Sequence, residues 1–252
     1  MNKKLILKKA IENLYQVFER YPLDPEIDAC PCCVKPKELE KLRSIPLRQQ
    51  MDLSDYSMDA LWTCGGVDDF KHFLPRIFEL NVLTEIGGIV WPDIEVVFVK
   101  LRTECDWAYW PSDEKEAIRD YCQAAWRYVL EEEEPEHDPI QWLCGIGRAG
   151  VDLHPYLDYW VQAQSSVAYE HLAEFVEWEK QFYLKDQKLR NPFWDYAPAH
   201  DQFFGWLTNP VTVKQLEEIF RENPSAEYSE PLTRAIRALA SCPRSVAEDL
   251  QS

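Results

Sequence analysis

The sequence has no apolar run that approaches the length needed to cross a membrane. Its longest apolar stretches are a few residues long and are interrupted by charged side chains, whereas a membrane-spanning helix needs ~20 consecutive apolar residues. Near the N-terminus, lysines flank only a short apolar stretch, Leu5 to Leu7, which is much shorter than the hydrophobic region of an export signal. We therefore expect a cytoplasmic protein without a membrane span.

Several short motifs that mark catalytic sites are also missing. The chain contains no G-x-S-x-G elbow, no Walker-type phosphate loop and no H-E-x-x-H zinc motif. Residues Gly145 to Gly150 do match G-x-G-x-x-G, but a dinucleotide site needs a strand on each side of the glycines, and the flanking residues have helical spacing. We expect these glycines to break a helix after Trp142 and Leu143 and to allow close packing, and we expect a protein without enzymatic turnover.

Positive charge is scarce in this chain. The sequence has 27 lysine and arginine residues against 44 aspartate and glutamate residues, which gives a formal net charge of −17. Residues 1–50 carry 10 basic and 7 acidic side chains, so the excess acid lies in residues 51–252. An acidic surface repels nucleic-acid phosphates and attracts basic proteins. We expect a basic protein partner and no direct nucleic-acid binding; the alternative is that the charge only maintains solubility. The oligomeric state is left open.

Apolar residues at helical spacing are abundant. The one segment that resembles a strand is Ile94 to Leu101, but its apolar positions step by three and four, and Pro92 and Asp93 are typical of a helix start. The same spacing predicts helices at 54–63 and 68–80, among others. Short connections between helices favour antiparallel neighbours. We predict an all-α protein of stacked antiparallel helical hairpins, arranged as a bundle or a short α-solenoid.

An acidic run at residues 131–138 contains Pro135 and no apolar side chain, and a second proline, Pro139, follows it directly. Because such a run cannot continue a packed helix, it is typical of a solvated connection. We place a boundary there, between an N-terminal helical part at 1–134 and a C-terminal helical part at 139–252. One continuous domain is the alternative.

Three thiols fall within four residues in the segment CPCC, residues 30–33. Two of them have the C-x₂-C spacing that suits a tetrahedral zinc ion, but the chain has no second C-x₂-C pair. We therefore predict a structural zinc site completed from further along the chain. Its predicted ligands are Cys30, Cys33, Cys64 and His72, with Cys32 as an additional candidate. The alternatives are a cluster of reduced thiols without metal and a redox-active pair.

A second candidate polar site consists of Asp68, Asp69 and His72. Asp68 and His72 are four residues apart and therefore share one helical face, where a carboxylate and an imidazole can share a proton or a metal ion. The alternative interpretation assigns Asp68 to the helix N-cap, Asp69 to a charge in the first turn, and His72 to packing or capping.

The segments Ile27 to Cys33 and Trp62 to Arg76, the second of which contains VDDFKHFLPR, resemble those of a family of uncharacterised bacterial cytosolic proteins. A weaker resemblance extends over much of the chain. It implies a bacterial, cytosolic setting and brings no established activity, cofactor or catalytic residue.

The charge and the helical pattern lead to one functional prediction. We expect a non-enzymatic acidic helical protein that binds a basic protein partner, as an adaptor or an immunity-type inhibitor, with a structural zinc ion. The alternative is a metal-dependent hydrolase that uses Asp68, Asp69 and His72.

Overall fold

The structure is a computed structural model that describes residues 2–83, 92–131, 138–163, 165–186, 188–189, 191–222 and 228–240. The helices of these residues are α1 (Lys3–Phe18), α2 (Pro36–Ser44), α3 (Ser54–Asp59), α4 (Val67–Leu83), α5 (Ile94–Thr103), α6 (Ser112–Leu130), α7 (Pro139–Arg148), α8 (His154–Gln162), α9 (Ser166–Asp186), α10 (Ala197–Thr208), α11 (Pro210–Glu222) and α12 (Ser229–Ala240). Within the described ranges there is no β-strand. The prediction of an all-α protein is confirmed, and the segment after Asp93 is a helix.

None of the helices in the described part of the chain combines the length and the apolar character that a bilayer crossing requires.

The helices fall into two compact units. The first contains the residues up to Val129 together with α7, and the second contains the residues from Gly150 onward. The acidic run, where we predicted a boundary, lies mostly outside the described residues, at 132–137. Although α7 follows this run in the sequence, it belongs to the first unit.

A glycine explains how α7 packs in the first unit. Helix α7 lies against α5, and a Cβ atom at Gly145 would come within 2.8 Å of the Phe98 ring. Only glycine allows this approach. The prediction of close packing is therefore confirmed at Gly145. The expectation that the glycines break the helix after Leu143 is wrong, because Gly145 and Gly147 lie within α7 and only Gly150 follows its end.

The core of the first unit is aromatic. The rings of Phe78 and Tyr121 stack at 4.3 Å between centroids, and Phe98 and Trp142 pack beside them. All four side chains are fully or almost fully buried, and the Tyr121 hydroxyl donates a hydrogen bond to the Phe78 carbonyl at 2.9 Å. Replacing such a buried aromatic residue by alanine costs about 3–5 kcal/mol.

The second unit has its own aromatic core. Phe203 of α10 packs against Trp160 of α8, Phe175 of α9 and Trp194. The Trp160 indole N–H donates to the Ala168 carbonyl at 2.7 Å, so its polar atom is satisfied despite complete burial. The helices of this unit thus enclose an apolar interior.

Candidate metal centre

The CPCC segment forms a tight turn between two buried anchors. Ile27 and Val34 are 2% and 5% exposed, so both ends of the turn are fixed in the core while the thiols between them face outward. The amides of Cys33 and Val34 both donate to the Cys30 carbonyl, at 3.0 and 2.9 Å. These bonds curl the chain so that the side chains of the turn converge.

The three thiols of this turn lie close together. The sulfur atoms of Cys30, Cys32 and Cys33 are all within 4.8 Å of one another, with 2.9 Å between Cys30 and Cys32 and 3.7 Å between Cys32 and Cys33. Two sulfurs bound tetrahedrally to one zinc ion, each at ~2.3 Å, would be about 3.8 Å apart. The Cys32–Cys33 pair already has this spacing, and the Cys30–Cys32 pair would have to open by less than about 1 Å.

The contacts among these thiols shift the pKa values of Cys30 and Cys33 in opposite directions. Hydrogen bonds from the side chain and backbone of Cys32 lower the pKa of Cys30 to about 7. Hydrogen bonds with Cys30 and Cys32 raise the pKa of Cys33 to about 11. At pH 7, therefore, about half of the Cys30 thiol is ionised to the thiolate, which is the form that binds metals and attacks electrophiles.

Cys64 lies near this turn in the fold but outside the thiol group. A backbone bridge pairs Ala29 with Cys64, the Cys30 amide donates to the Thr63 carbonyl at 2.8 Å, and the Cys64 side chain is 3% exposed. Desolvation raises the pKa of its thiol to about 11. Cys64 therefore contributes backbone pairing and apolar packing next to the turn.

Two features fix the chain that leads to Cys64. Leu61 adopts a left-handed conformation with φ of 70°, which cannot continue a helix, so α3 ends at Asp59 and not at residue 63 as the spacing predicted. Gly65 has φ of 69°, and a Cβ there would lie 3.0 Å from the Cβ of Asp69. Both conformation and space therefore require glycine at position 65.

A buried lysine holds the end of α3. The Lys100 ammonium, on α5, is fully buried and donates to the carbonyls of Ser57, Met58 and Ala60 at 2.6 to 2.9 Å. Its nitrogen also lies 4.1 Å from the centre of the Trp62 ring. Desolvation lowers the pKa of Lys100 to about 8. This contact, made between residues 40 to 43 positions apart, explains why local spacing did not predict the end of α3.

His72 also lies outside the thiol group. Its Nδ1 is 2.9 Å from the Tyr21 carbonyl oxygen, and its ring packs edge-on against Phe73 at 4.8 Å. The structure thus brings Cys30, Cys32 and Cys33 together and places neither Cys64 nor His72 with them.

A buried ion pair fixes the chain segment that His72 contacts. The Lys71 ammonium donates to Glu114 at 2.8 Å and to the Tyr21 hydroxyl at 3.0 Å, and it lies 4.0 Å from the Trp110 ring. Burial alone would lower the pKa of Lys71, but the hydrogen bonds to Glu114 and Tyr21 outweigh it and raise this pKa. Because both charges are buried, removal of Glu114 would leave the Lys71 ammonium without a counterion among the described residues, and removal of Lys71 would leave Glu114 only the more distant Arg20 guanidinium, at 3.9 Å.

For the carboxylates of the second candidate site, the alternative interpretation is confirmed for Asp69, which lies in the first turn of α4, and is wrong for Asp68. Helix α4 begins at Val67, so Asp68 lies in its first turn and is not the N-cap. The Asp69 side chain contacts the residue that precedes the helix, since its Oδ2 accepts a hydrogen bond from the Gly66 amide at 2.9 Å. Among the described residues, the only group of three or more metal-ligand side chains that meet within 4.8 Å is the CPCC group, which excludes Asp68, Asp69 and His72.

A cavity near Cys64 was not predicted from the sequence. Its volume is about 240 Å³, and its lining includes Asp52, Asp55, Tyr56, Asp59 and Cys64. The available signal was the pair Asp55 and Asp59, four residues apart around a tyrosine. That pattern is common on exposed helices, so it did not stand out.

Comparison of the chain with protein-family models, with curated proteins and with solved structures finds no match.

Proposed function

We propose that the CPCC turn binds a thiophilic metal ion, with zinc as the first candidate, through Cys30, Cys32 and Cys33. The observation that carries this proposal is the convergence of the three sulfur atoms within 4.8 Å on one exposed turn. Thiolates are soft ligands that suit zinc, and zinc imposes no geometric preference of its own beyond tetrahedral packing of four ligands.

The proposed site supplies three donors and leaves the fourth position to water or to a ligand from another molecule. Cys32 and Cys33 are exposed, so an external ligand can reach the ion. Because the three donors come from one turn, bound metal would rigidify that turn and, with it, the backbone pairing to residues 63–65.

Metal analysis of protein purified without an affinity tag tests this proposal. We expect one zinc ion per chain and, after substitution with Co²⁺, the intense absorption of cobalt–thiolate bonds. The triple variant C30S/C32S/C33S should lose both signals, whereas C64A and H72A should keep them. Absence of stoichiometric metal in the wild type, together with absence of the Co²⁺ absorption, would refute the proposal.

We also propose that the chain is a non-enzymatic binder of a basic protein, in an adaptor or inhibitor role. The specific support is a surface of the first unit on which an acidic cavity, lined by Asp52, Asp55 and Asp59, adjoins exposed Met51. Exposed apolar side chains beside complementary charge are typical of protein interfaces.

The salt dependence of binding tests this second proposal. A fluorescent lysine-rich peptide should bind the protein, and its affinity should fall steeply as ionic strength rises. The same peptide with glutamine in place of lysine is the control. Absence of binding by the lysine-rich peptide at low salt would exclude a basic partner.

A further inference from the structure

Two sulfur atoms of the CPCC turn lie closer together than the sulfurs of a zinc site. The Sγ atoms of Cys30 and Cys32 are 2.9 Å apart, whereas two sulfurs on one tetrahedral zinc ion are about 3.8 Å apart. In a disulfide bond the two sulfurs are about 2.05 Å apart. The observed pair lies between these two arrangements, and a movement of less than about 1 Å reaches either one.

The backbone around this pair is held by hydrogen bonds on both sides. The amides of Cys33 and Val34 donate to the Cys30 carbonyl, and the Cys30 amide donates to the Thr63 carbonyl at 2.8 Å. Pro31, which separates the two cysteines, has a fixed φ. The fold itself therefore holds the two sulfurs side by side, and they meet at a high effective concentration.

Reagents in solution can reach this turn. Cys32 and Cys33 are exposed, and Cys30 is half-buried. The described cysteines outside the turn are all buried: Cys64, Cys105, Cys122 and Cys144. Exposed disulfides are the labile ones, with catalytic or regulatory roles. Among the described thiols, exchange with a dissolved disulfide is therefore expected at the CPCC turn.

The third thiol of the turn is a less favourable partner for Cys32. The Cys33 sulfur lies 3.7 Å from the Cys32 sulfur, which is farther than the Cys30 sulfur. A disulfide between adjacent residues also closes a small ring that contains their peptide bond, and the ring strains this bond away from its planar trans form. Closure between Cys30 and Cys32 leaves Cys33 as a free thiol.

We infer that the CPCC turn carries out thiol–disulfide exchange with low-molecular-mass disulfides, and that Cys30 and Cys32 form the protein disulfide. One sulfur of this pair attacks a sulfur of the small disulfide, whose S–S bond breaks and releases one thiolate. The other sulfur then attacks the protein sulfur of the mixed disulfide and releases the second thiolate. The protons of the two cysteines pass to the released thiolates. The pair is oxidised by two electrons, and the small disulfide is reduced to two thiols.

This exchange competes with metal binding at the same turn. The disulfide uses two of the three proposed donors and leaves only the Cys33 thiol, so oxidation releases the metal ion. The release of metal rests on the first proposed function, whereas the exchange itself does not.

Glutathione disulfide added to metal-free protein tests the exchange. After the reaction is stopped, free thiols are labelled with N-ethylmaleimide, disulfides are reduced, and the newly freed thiols are labelled with iodoacetamide. Trypsin releases residues 21–37 as one peptide, which contains the three cysteines of the turn and no other cysteine. We expect N-ethylmaleimide on Cys33 and iodoacetamide on Cys30 and Cys32. Dithiothreitol should return all three to thiols.

Two variants of the same turn test which sulfurs pair. The matched control C33S keeps the pair and should form the disulfide within about threefold of the wild-type rate. C32S removes the nearby sulfur, so closure within the turn should be at least about tenfold slower, and the mixed disulfide with glutathione should accumulate.

Three results would overturn the inference. The first is that the wild type forms no disulfide within the turn. The second is that the iodoacetamide label of the wild type lies on Cys30 and Cys33. The third is that C32S closes a disulfide as fast as the wild type does.

Zinc binding distinguishes failure of the exchange from failure of the metal proposal. If metal-free protein forms the Cys30–Cys32 disulfide and the purified protein binds no zinc, the metal proposal fails and the exchange stands. If the protein binds zinc and the metal-free form closes no disulfide, the exchange is overturned and the metal proposal stands. If both hold, glutathione disulfide should release zinc to a chromophoric chelator with the same time course as disulfide formation.

Discussion

The exposed thiols of the CPCC turn and the buried thiols of the first unit show how strongly environment changes one residue type. In the turn, contacts among neighbouring thiols lower the pKa of Cys30 to about 7. In the interior, desolvation raises the pKa of Cys105 to about 12 and that of Cys122 still further. Cys30 is therefore reactive at neutral pH, whereas each buried cysteine is a small apolar side chain.

The comparison teaches that the number of cysteines says little about metal or redox chemistry. Four thiols of the described chain, at Cys64, Cys105, Cys122 and Cys144, are buried. Each is isolated from the exposed group, and none belongs to a cluster of metal-ligand side chains. Proximity and access to solvent, both set by one turn, distinguish the candidate site.

The largest difference should appear in alkylation. In the presence of a chelator at pH 7, iodoacetamide should modify Cys30 at least about a thousandfold faster than Cys105, because about half of the Cys30 thiol is ionised, against roughly one part in 10⁵ for Cys105. Peptide mapping by mass spectrometry measures both rates. Similar alkylation rates for Cys30 and Cys105 would contradict the predicted difference in reactivity.

Metal affinity should give the next largest effect. The variant C30S/C33S removes two of the three proposed donors, so the dissociation constant for Zn²⁺ should rise by more than about a hundredfold, beyond the 10–100-fold typical of losing an outer-shell contact. Competition with a chromophoric chelator measures this change, and C122A is the matched control from the interior. Affinity should also fall as pH drops below 7, since the thiols must lose protons to bind.

For the free energy of unfolding, substitution of a buried cysteine should have a larger effect than substitution of a cysteine in the CPCC turn. The Cys122 side chain is fully buried on α6, so C122S introduces a hydroxyl into an apolar site and should lower the free energy of unfolding by about 1–3 kcal/mol. In metal-free protein, C32S on the exposed turn should change it by less than about 0.5 kcal/mol. Urea denaturation measures both values. A larger loss for C32S would mean that the turn, and not the core, is the more sensitive region.

The smallest effect concerns the contacts within the turn. Removing the Cys33 thiol takes away one of the hydrogen bonds that lower the pKa of Cys30. In C33A this pKa should rise, which leaves less thiolate at pH 7 and slows alkylation of Cys30 about threefold. The midpoint of the alkylation rate against pH measures the shift. An unchanged midpoint would show that Cys32 alone sets the acidity of Cys30.

Local pattern was sufficient to predict the helices and the thiol cluster. The apolar spacing of Ile94 to Leu101 identified α5 because helical periodicity is set by residues three and four apart. The CPCC thiols converge because they share one turn. Features that depend on distant residues were not predictable: α3 ends where Lys100 binds its carbonyls, and His72 contacts Tyr21, 51 residues away.

Because Lys100 is buried, the rate at which its amine is labelled measures how often the surrounding chain opens. Its amine has no accessible surface, so an acylating reagent reaches it only when the chain around the end of α3 opens. The exposed amine of Lys35, with a side chain 82% accessible, is available throughout and serves as an internal standard. The ratio of the two labelling rates therefore reports how often this segment opens in the native protein.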